Sequence, residues 1–291
     1  MSNKILVLGA NGMLGGSLHR YFSRDAGNHV LGSVRSEEAL EHLATMGFDN
    51  VVSGVDVTNQ ESLQKVIAEF RPDFVFNGIG LIKQLSQSKL PVPAIEINSL
   101  LPHRLAALCT EFGARLVHFS TDCVFSGDAG GYTENSIPDA TDIYGRSKLL
   151  GEVVYDNHIT LRTSIIGHEL NSGVSLVDWF LNQSGYVKGF SKAVFSGLPT
   201  CYVAEFINKN IISSPNLSGL YHLSVDPIDK YSLLKLIKGI YGLEIEIEHD
   251  SDFVIDRSLN SDILRSAVGF VPLPWSELIE RMHNEYIEYF K

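Results

Sequence analysis

The stretch Lys4-Ile5-Leu6-Val7-Leu8-Gly9-Ala10-Asn11-Gly12-Met13-Leu14-Gly15 decides how the rest of the chain is read. After Lys4 come four apolar residues without alternation, which fits a strand covered on both faces. Gly9, Gly12 and Gly15 then make a GxxGxxG turn, and the amphipathic run Gly12–Ser23 reads as a helix opening on it. Glycines permit the tight turn and let a pyrophosphate approach the backbone, while the free N–H groups and positive dipole end of the helix face the anion. Three glycines alone fit a plain structural turn equally well. Set between a strand and a helix, they point to a dinucleotide site, with Gly9, Asn11, Gly12, Met13, Leu14 and Gly15 against the cofactor.

Outward from this turn the same alternation continues. His29–Val34, Phe74–Asn77, Arg115–Phe119 and Ile159–Arg162 read as strands, and Glu37–Met46, Glu61–Phe70, Pro93–Phe112 and Tyr144–Tyr155 as helices. Repeated βαβ units predict an α/β fold of the Rossmann type, a doubly wound parallel sheet. Past about residue 165 the pattern loosens, leaving a strand at Leu220–Leu223 and helices at Tyr231–Tyr241 and Trp275–Phe290. The expected organisation is a cofactor domain over residues 1–165 that carries the catalytic groups, and a smaller C-terminal substrate-binding lobe over 166–291, some of whose segments return to the first domain.

Composition narrows the partners. With 291 residues, 44% hydrophobic and 20% charged, the chain has ample length for a core and excludes disorder. A net charge of -11 sets a field unfavourable to nucleic acid and to anionic membrane surfaces, without excluding a small basic pocket. No apolar stretch is long enough to span a bilayer or to form a signal-peptide core, so the expected location is the cytoplasm. Cys109, Cys123 and Cys201 are odd in number and widely spaced, which suits neither a disulfide framework nor a CxxC metal site. His103, His118, His158, His168 and His222 lack metal-ligand spacing and read as structural; no metal is expected.

Further residues carry chemistry. About twenty positions beyond the glycines, a carboxylate would bind a free 2'-hydroxyl and repel a 2'-phosphate. This chain has Ser33-Val34-Arg35 there, so NADP(H) is preferred and NAD(H) kept as the alternative, with Arg35 otherwise a solvated cap residue. Asp56, with Val57 beside it, either accepts from the adenine amino group at the end of the third strand or caps the next helix. Tyr144-Gly145-Arg146-Ser147-Lys148 puts a phenol and an ammonium on one helical face, an arrangement suited to proton transfer onto a carbonyl oxygen. A surface Tyr–Lys pair is the bland reading of that spacing. Upstream, Ser120-Thr121-Asp122-Cys123 leaves the carboxyl end of a strand, where hydroxyls meet ligands in parallel sheets. Thr121 is the favoured catalytic hydroxyl and Ser120 the spare.

Taken with Gly131-Tyr132-Thr133-Glu134, Pro138, Leu149-Leu150-Gly151-Glu152 and Leu161-Arg162-Thr163-Ser164, these motifs resemble an extended short-chain dehydrogenase/reductase. More narrowly they resemble the dTDP-4-dehydrorhamnose reductase branch, whose members reduce the 4-keto group of nucleotide-linked deoxysugars. The resemblance implies Thr121 as catalytic hydroxyl, Tyr144 as general acid and Lys148 as its supporting ammonium and holder of the nicotinamide ribose, with Tyr144 also counted among the cofactor-binding residues. It also places Asn77 and Gly78 at the cofactor, and it makes Asn98 a family position that serves equally as a core hydrogen-bonding residue. Substrate contacts are expected from Lys83, Thr121, Asp122, Cys123 and Thr163, with Gln84 beside Lys83. Trp179 and Phe180 are a candidate substrate wall, with core packing favoured. The chain departs from the family at Cys123, usually Tyr, at Ser126, usually Asp, and at Val194–Leu198, where an acidic-Gln-Gly signature is missing. These changes loosen the identity of the sugar more than the reaction, and both dTDP- and UDP-linked 4-keto-6-deoxysugars are admitted. The alternatives are an epimerase or 4,6-dehydratase of the same superfamily, and a noncatalytic regulatory subunit like those of methionine adenosyltransferase. Beyond a nucleotide-sugar substrate, the partner considered is a second copy of the chain in a homodimer.

Overall fold

The computed structural model describes residues 2–82, 86–170 and 173–291, so Lys83 and Gln84 lie outside the described residues. Strands β1 (Lys4–Leu8), β2 (His29–Ser33), β3 (Val51–Val52), β4 (Phe74–Asn77), β5 (Arg115–Thr121) and β6 (Ile159–Thr163) run through the first part of the chain. Later come β7 (Ile165–Ile166), β8 (Tyr186–Phe195), β9 (Leu198–Pro199), β10 (Gly219–His222), β11 (Ile228–Asp229) and β12 (Glu246–Asp256). The helices are α1 (Met13–Ser23), α2 (Glu37–Thr45), α3 (Gln60–Phe70), α4 (Pro91–Ala94), α5 (Leu101–Phe112) and α6 (Ile143–Leu150). They are followed by α7 (Leu176–Leu181), α8 (Thr200–Phe206), α9 (Lys230–Tyr241), α10 (Asp262–Val268) and α11 (Trp275–Tyr289). Among the described residues no helix is long and apolar enough to cross a membrane.

A seven-stranded sheet has the order β10-β6-β5-β4-β1-β2-β3, and the pairs β1–β2, β1–β4, β2–β3 and β4–β5 are parallel. The order reverses between β1 and β4, the place where open α/β sheets bind ligands. This is the doubly wound sheet expected from the βαβ pattern. Its near-continuous apolar strands follow from burial on both faces: Leu6, Leu8, Val75 and Leu116 pack with Leu63, Ile67, Leu105 and Cys109 of α3 and α5 on one, while on the other Ile5 and Val7 are fully buried and Phe76 meets Phe22 of α1.

The chain divides into two compact units: residues 1–120, 141–161 and 204–220, and residues 121–140, 162–203 and 221–291. In the first, Arg115 is buried and donates to the carbonyls of Asn157, Ile211, Ser214 and Leu217, which fastens segment 204–220 to β5. In the second, β8 is the middle strand of the sheet β11-β8-β12, and Gly189 lets α9 come close: a Cβ there would stand 2.7 Å from the Tyr231 ring. Helices α9 and α11 bury Leu233, Leu234, Ile237, Leu278, Ile279 and Met282.

Three expectations need correction. The helix expected over Pro93–Phe112 is α4, a π-helical turn at Ile95–Leu100 and α5 in succession. The helix expected over Tyr144–Tyr155 ends at Leu150, because Gly151 lies against the Asn98 carbonyl; a Cβ there would fall 2.0 Å from that oxygen. The third strand is only Val51–Val52, so Asp56 stands in the loop beyond it.

Candidate functional site

In the first unit the nucleotide end is built from backbone. Gly9 takes φ +77°, open mainly to glycine, and its N–H and that of Ala10 both donate to the Ser33 carbonyl, at 3.1 and 3.0 Å. A Cβ on Gly15 would lie 2.1 Å from the Gly9 oxygen, and one on Gly78 would lie 2.8 Å from the Leu8 oxygen and 3.1 Å from the Gly15 Cα. The turn, β1 and the end of β4 therefore pack at backbone contact. Helix α1 starts from Gly12 with no side-chain cap and no acid in its first turn, which leaves a positive dipole end suited to an anion. Gly15→Ala is expected to destabilise the fold by about 1–3 kcal/mol, since the clash is with backbone that cannot swing aside, and to weaken NADPH binding. Thermal unfolding and NADPH titration check both, and wild-type values in each would contradict the packing described.

Arg35 is exposed on the turn between β2 and α2, while Ser36 caps α2 by accepting from the Ala39 N–H at 3.2 Å. The solvated-cap role for Arg35 is thus filled by its neighbour. Asp56 accepts from the Thr58 N–H and hydroxyl at 2.9 and 2.8 Å. Those bonds, and after them the Arg35 charge, hold its carboxyl below the usual carboxylate range. The cap of α3 is Asn59, not Asp56. Val57 is buried beside it.

Beyond β4, the buried Asn77 side chain accepts from the Ile79 N–H at 3.2 Å and donates to His118 Nδ1 at 3.1 Å. His118 Nε2 then carries the ring proton and is buried without a partner among the described residues, and burial pushes the ring's pKa well below the ordinary value. Asn77 thus shapes the turn that presents Gly78. Asn98 proves to be a clamp: its carboxamide both accepts from the Leu81 N–H and donates to the Leu81 carbonyl, at 2.9 and 3.2 Å, and also donates to the Ser147 hydroxyl at 3.3 Å. Asn98 lies in the π-helical turn between α4 and α5 and reaches Ser147 of α6 from there.

Helix α6 presents the phenol and ammonium. Asp142 caps it by accepting from the Gly145 N–H at 2.8 Å, and the half-buried Tyr144 sits in its first turn. Lys148 is buried and donates through Nζ to the Phe119 carbonyl at 2.6 Å. Burial pulls its pKa down to about 8, against the opposing pull of Glu152. Such an ammonium is set by the fold rather than by solvent, which excludes a loose surface pair. Ser120, the spare hydroxyl, is committed: it donates to Glu152 at 2.7 Å.

In the second unit, Thr121 accepts from the Cys123 N–H at 3.1 Å and donates to Asp122 at 3.0 Å. Asp122 is buried, which raises its pKa against the pull of Thr121, Arg257 and Cys123. The loop is held by Arg257, donating to the Phe125 and Ser126 carbonyls, and by Phe125 stacking on Tyr132 at 4.2 Å between ring centres. Arg257 went unnoticed in the sequence because it acts on carbonyls more than a hundred residues away and carries no local motif. Thr163 ends β6 with its hydroxyl donating to the Ser164 carbonyl at 3.2 Å. His222 donates through Nδ1 to the Tyr132 and Asn260 carbonyls, leaving Nε2 to accept from Arg162 at 3.3 Å. Burial and the Arg162 charge push its pKa down to about 4. His103, His158 and His168 are likewise held by hydrogen bonds inside the fold. The Trp179–Phe180 pair splits: Phe180 is fully buried, while Trp179 is 37% exposed.

Comparison with known proteins follows the same lines. The family described as "RmlD substrate binding domain" matches residues 3–237. The probable low-salt glycan biosynthesis reductase Agl14 of Haloferax volcanii is 36% identical over 147 residues, 50% of this chain and 46% of that protein, so the match spans less than half its length. Methionine adenosyltransferase 2 subunit beta of Xenopus laevis is 24% identical over 300 residues, covering 96% of this chain and 80% of that one. Among solved structures, dTDP-4-dehydrorhamnose reductase of Bacillus anthracis in complex with NADP superposes with a TM-score of 0.80 at 25% identity, over 97% of this chain and 99% of that one. With its glycine turn at the β1–β4 reversal, its buried Lys148 and the match over residues 3–237, the chain belongs to the RmlD substrate binding domain family and is an extended short-chain dehydrogenase/reductase with the fold of the dTDP-4-dehydrorhamnose reductases.

Proposed function

We propose that this NAD(P)-dependent oxidoreductase uses NADPH to reduce the 4-keto group of a nucleotide-linked 6-deoxysugar, a dTDP- or UDP-linked hexose or N-acetylhexosamine, in the cytoplasm and for cell-surface polysaccharide. The observation that carries this reading is Lys148, a buried ammonium held on the Phe119 carbonyl one helical turn from Tyr144. Gly9, Gly12, Gly15 and Gly78 would hold the cofactor's diphosphate and Arg35 its 2'-phosphate, and the bound cofactor would supply a hydride. Tyr144 donates a proton to the oxygen that gains charge, and Lys148 keeps the resulting phenolate stable. Thr121 orients the sugar. Its single proton points at Asp122, so it offers a lone pair to a sugar hydroxyl, and it donates to a keto oxygen once Asp122 is protonated. The raised pKa of Asp122 favours that state.

The test is a panel of dTDP- and UDP-4-keto-6-deoxysugars with NADPH, followed by mass spectrometry. A gain of two hydrogens in at least one sugar is expected. Sugars isomerised or dehydrated without that gain would instead mean an epimerase or dehydratase. The match to methionine adenosyltransferase 2 subunit beta over nearly the whole chain favours one other reading, a regulatory subunit. Inertness toward every sugar, with tight binding to a methionine adenosyltransferase catalytic chain, would establish it. Arg35→Asp is expected to shift the NADPH-to-NADH preference by roughly ten-fold or more toward NADH, the loss of one charge-assisted phosphate contact. An unaltered ratio of kcat/KM values would reject the 2'-phosphate role.

A further inference from the structure

The diphosphate of a sugar nucleotide calls for a cation, and the lysine expected at the substrate, Lys83, lies outside the described residues. Lys230, the first residue of α9, stands out. It is half-buried, its Nζ lies 6.0 Å from the Trp179 ring centre and 5.8 Å from that of Phe190, and it makes no hydrogen bond or ion pair among the described residues. Its neighbour Asp229 does not offset it, because that carboxylate accepts from the Ser232 N–H and hydroxyl at 2.9 and 2.7 Å. Burial lowers the Lys230 pKa, and no carboxylate raises it.

Aromatic surface surrounds this ammonium. Trp179 on α7 is 37% exposed, Phe253 on β12 is 51% exposed, and Phe253 packs against Phe190 with ring centres 5.3 Å apart. A half-buried ammonium over two aromatic rings, one of them exposed, offers a positive charge and a π-face side by side to a ligand. A nucleoside diphosphate has the matching parts: an anionic oxygen for the ammonium and a π-face for a ring. The concavity of about 820 Å³ lined by Tyr231, Lys235, Lys238, Glu244 and Glu246 is a poorer candidate, since its lysines are balanced by glutamates.

We propose that Lys230, Trp179 and Phe190 form the subsite for the nucleoside diphosphate half of the substrate, with the Lys230 ammonium on a phosphate oxygen and an aromatic face against the base. This inference rests on the nucleotide-sugar reading above. It also explains why Trp179 stays at the surface of α7 while Val177 and Phe180 are buried.

The experiment uses UDP, dTDP and uridine as probes on the full chain, by calorimetry and by quenching of tryptophan fluorescence. Wild type is expected to bind UDP or dTDP with quenching, and uridine more weakly. Lys230→Met is expected to weaken diphosphate binding by roughly ten-fold or more, with Lys230→Arg restoring it. Trp179→Leu is expected to weaken it by roughly five-fold or more and to abolish most of the quenching. NADPH affinity and melting temperature should stay at wild-type values in all three and serve as the folding control. UDP and dTDP affinities unchanged in both Lys230→Met and Trp179→Leu, or no binding by wild type, would overturn the subsite even if the enzyme reduces keto sugars. Lys230-dependent UDP binding by a protein that reduces none of them would keep the subsite and sink the reductase reading.

Discussion

Tyr144→Phe is expected to lower kcat by about 10²- to 10⁴-fold, the usual worth of a positioned proton donor, while NADPH affinity stays near wild type. The phenol oxygen is the only atom removed, and the helix keeps the Asp142 cap, the Ser147 hydroxyl on the Tyr144 carbonyl and the Asn98 clamp. A binding defect is therefore not expected to accompany the catalytic one. Single-turnover oxidation of NADPH with a keto-sugar substrate separates the two. A variant as fast as wild type would remove Tyr144 from the mechanism.

Lys148→Met should be the second large effect, and it should move activity and stability in opposite directions. The unfolded chain holds this proton up to the ordinary lysine value of 10.5, whereas the folded chain releases it near 8. Between those values the unfolded state binds more protons, so wild-type stability climbs as pH rises from about 8 to 10.5, and the full penalty is present below 8. Replacing the buried ammonium by an apolar chain is expected to stabilise the protein at neutral pH by about 1–3 kcal/mol, after allowing for the lost bond to the Phe119 carbonyl. The gain should shrink across the same alkaline window. Reduction should be nearly abolished, and wild-type activity should itself decline above about pH 8 as Lys148 loses its charge. Denaturant titrations of both proteins at neutral and alkaline pH read the stability difference. A variant less stable than wild type at neutral pH would mean that burial does not strain this lysine.

Residues 4–163 were largely legible because each element there obeys a local rule. The apolar runs of β1, β4 and β5 are long enough to mark a covered sheet, and Gly9 and Gly15 stand where a side chain would strain or clash with the turn. The break inside Pro93–Phe112 was invisible, since a π-helical turn shifts the register of the side chains without changing their composition. Strand β12 was hidden by its own surface: Glu246, Glu248, Asp250, Asp252 and Asp256 protect an edge strand from pairing with other chains, and the same charges erase its apolar alternation. Of the proposed catalytic groups, Tyr144 and Lys148 stand out by their spacing and Thr121 by its place at the end of a strand. Their settings do not, because the bonds of Lys148 to the Phe119 carbonyl and of Arg257 to the Phe125 carbonyl join residues far apart in sequence. Lys230 escaped notice for the same reason: an isolated lysine acquires meaning only from the rings of Trp179 and Phe190.

The central claim is a net hydride transfer to the sugar, and isotope transfer tests it most directly. NADPH is prepared with deuterium at each of the two faces of nicotinamide C4 and incubated with the keto sugar that turns over fastest. One labelled form should deliver its deuterium to C4 of the sugar, one atom for each NADPH oxidised, and the other should deliver none. Product formed without deuterium, or without matching NADPH oxidation, would contradict the account.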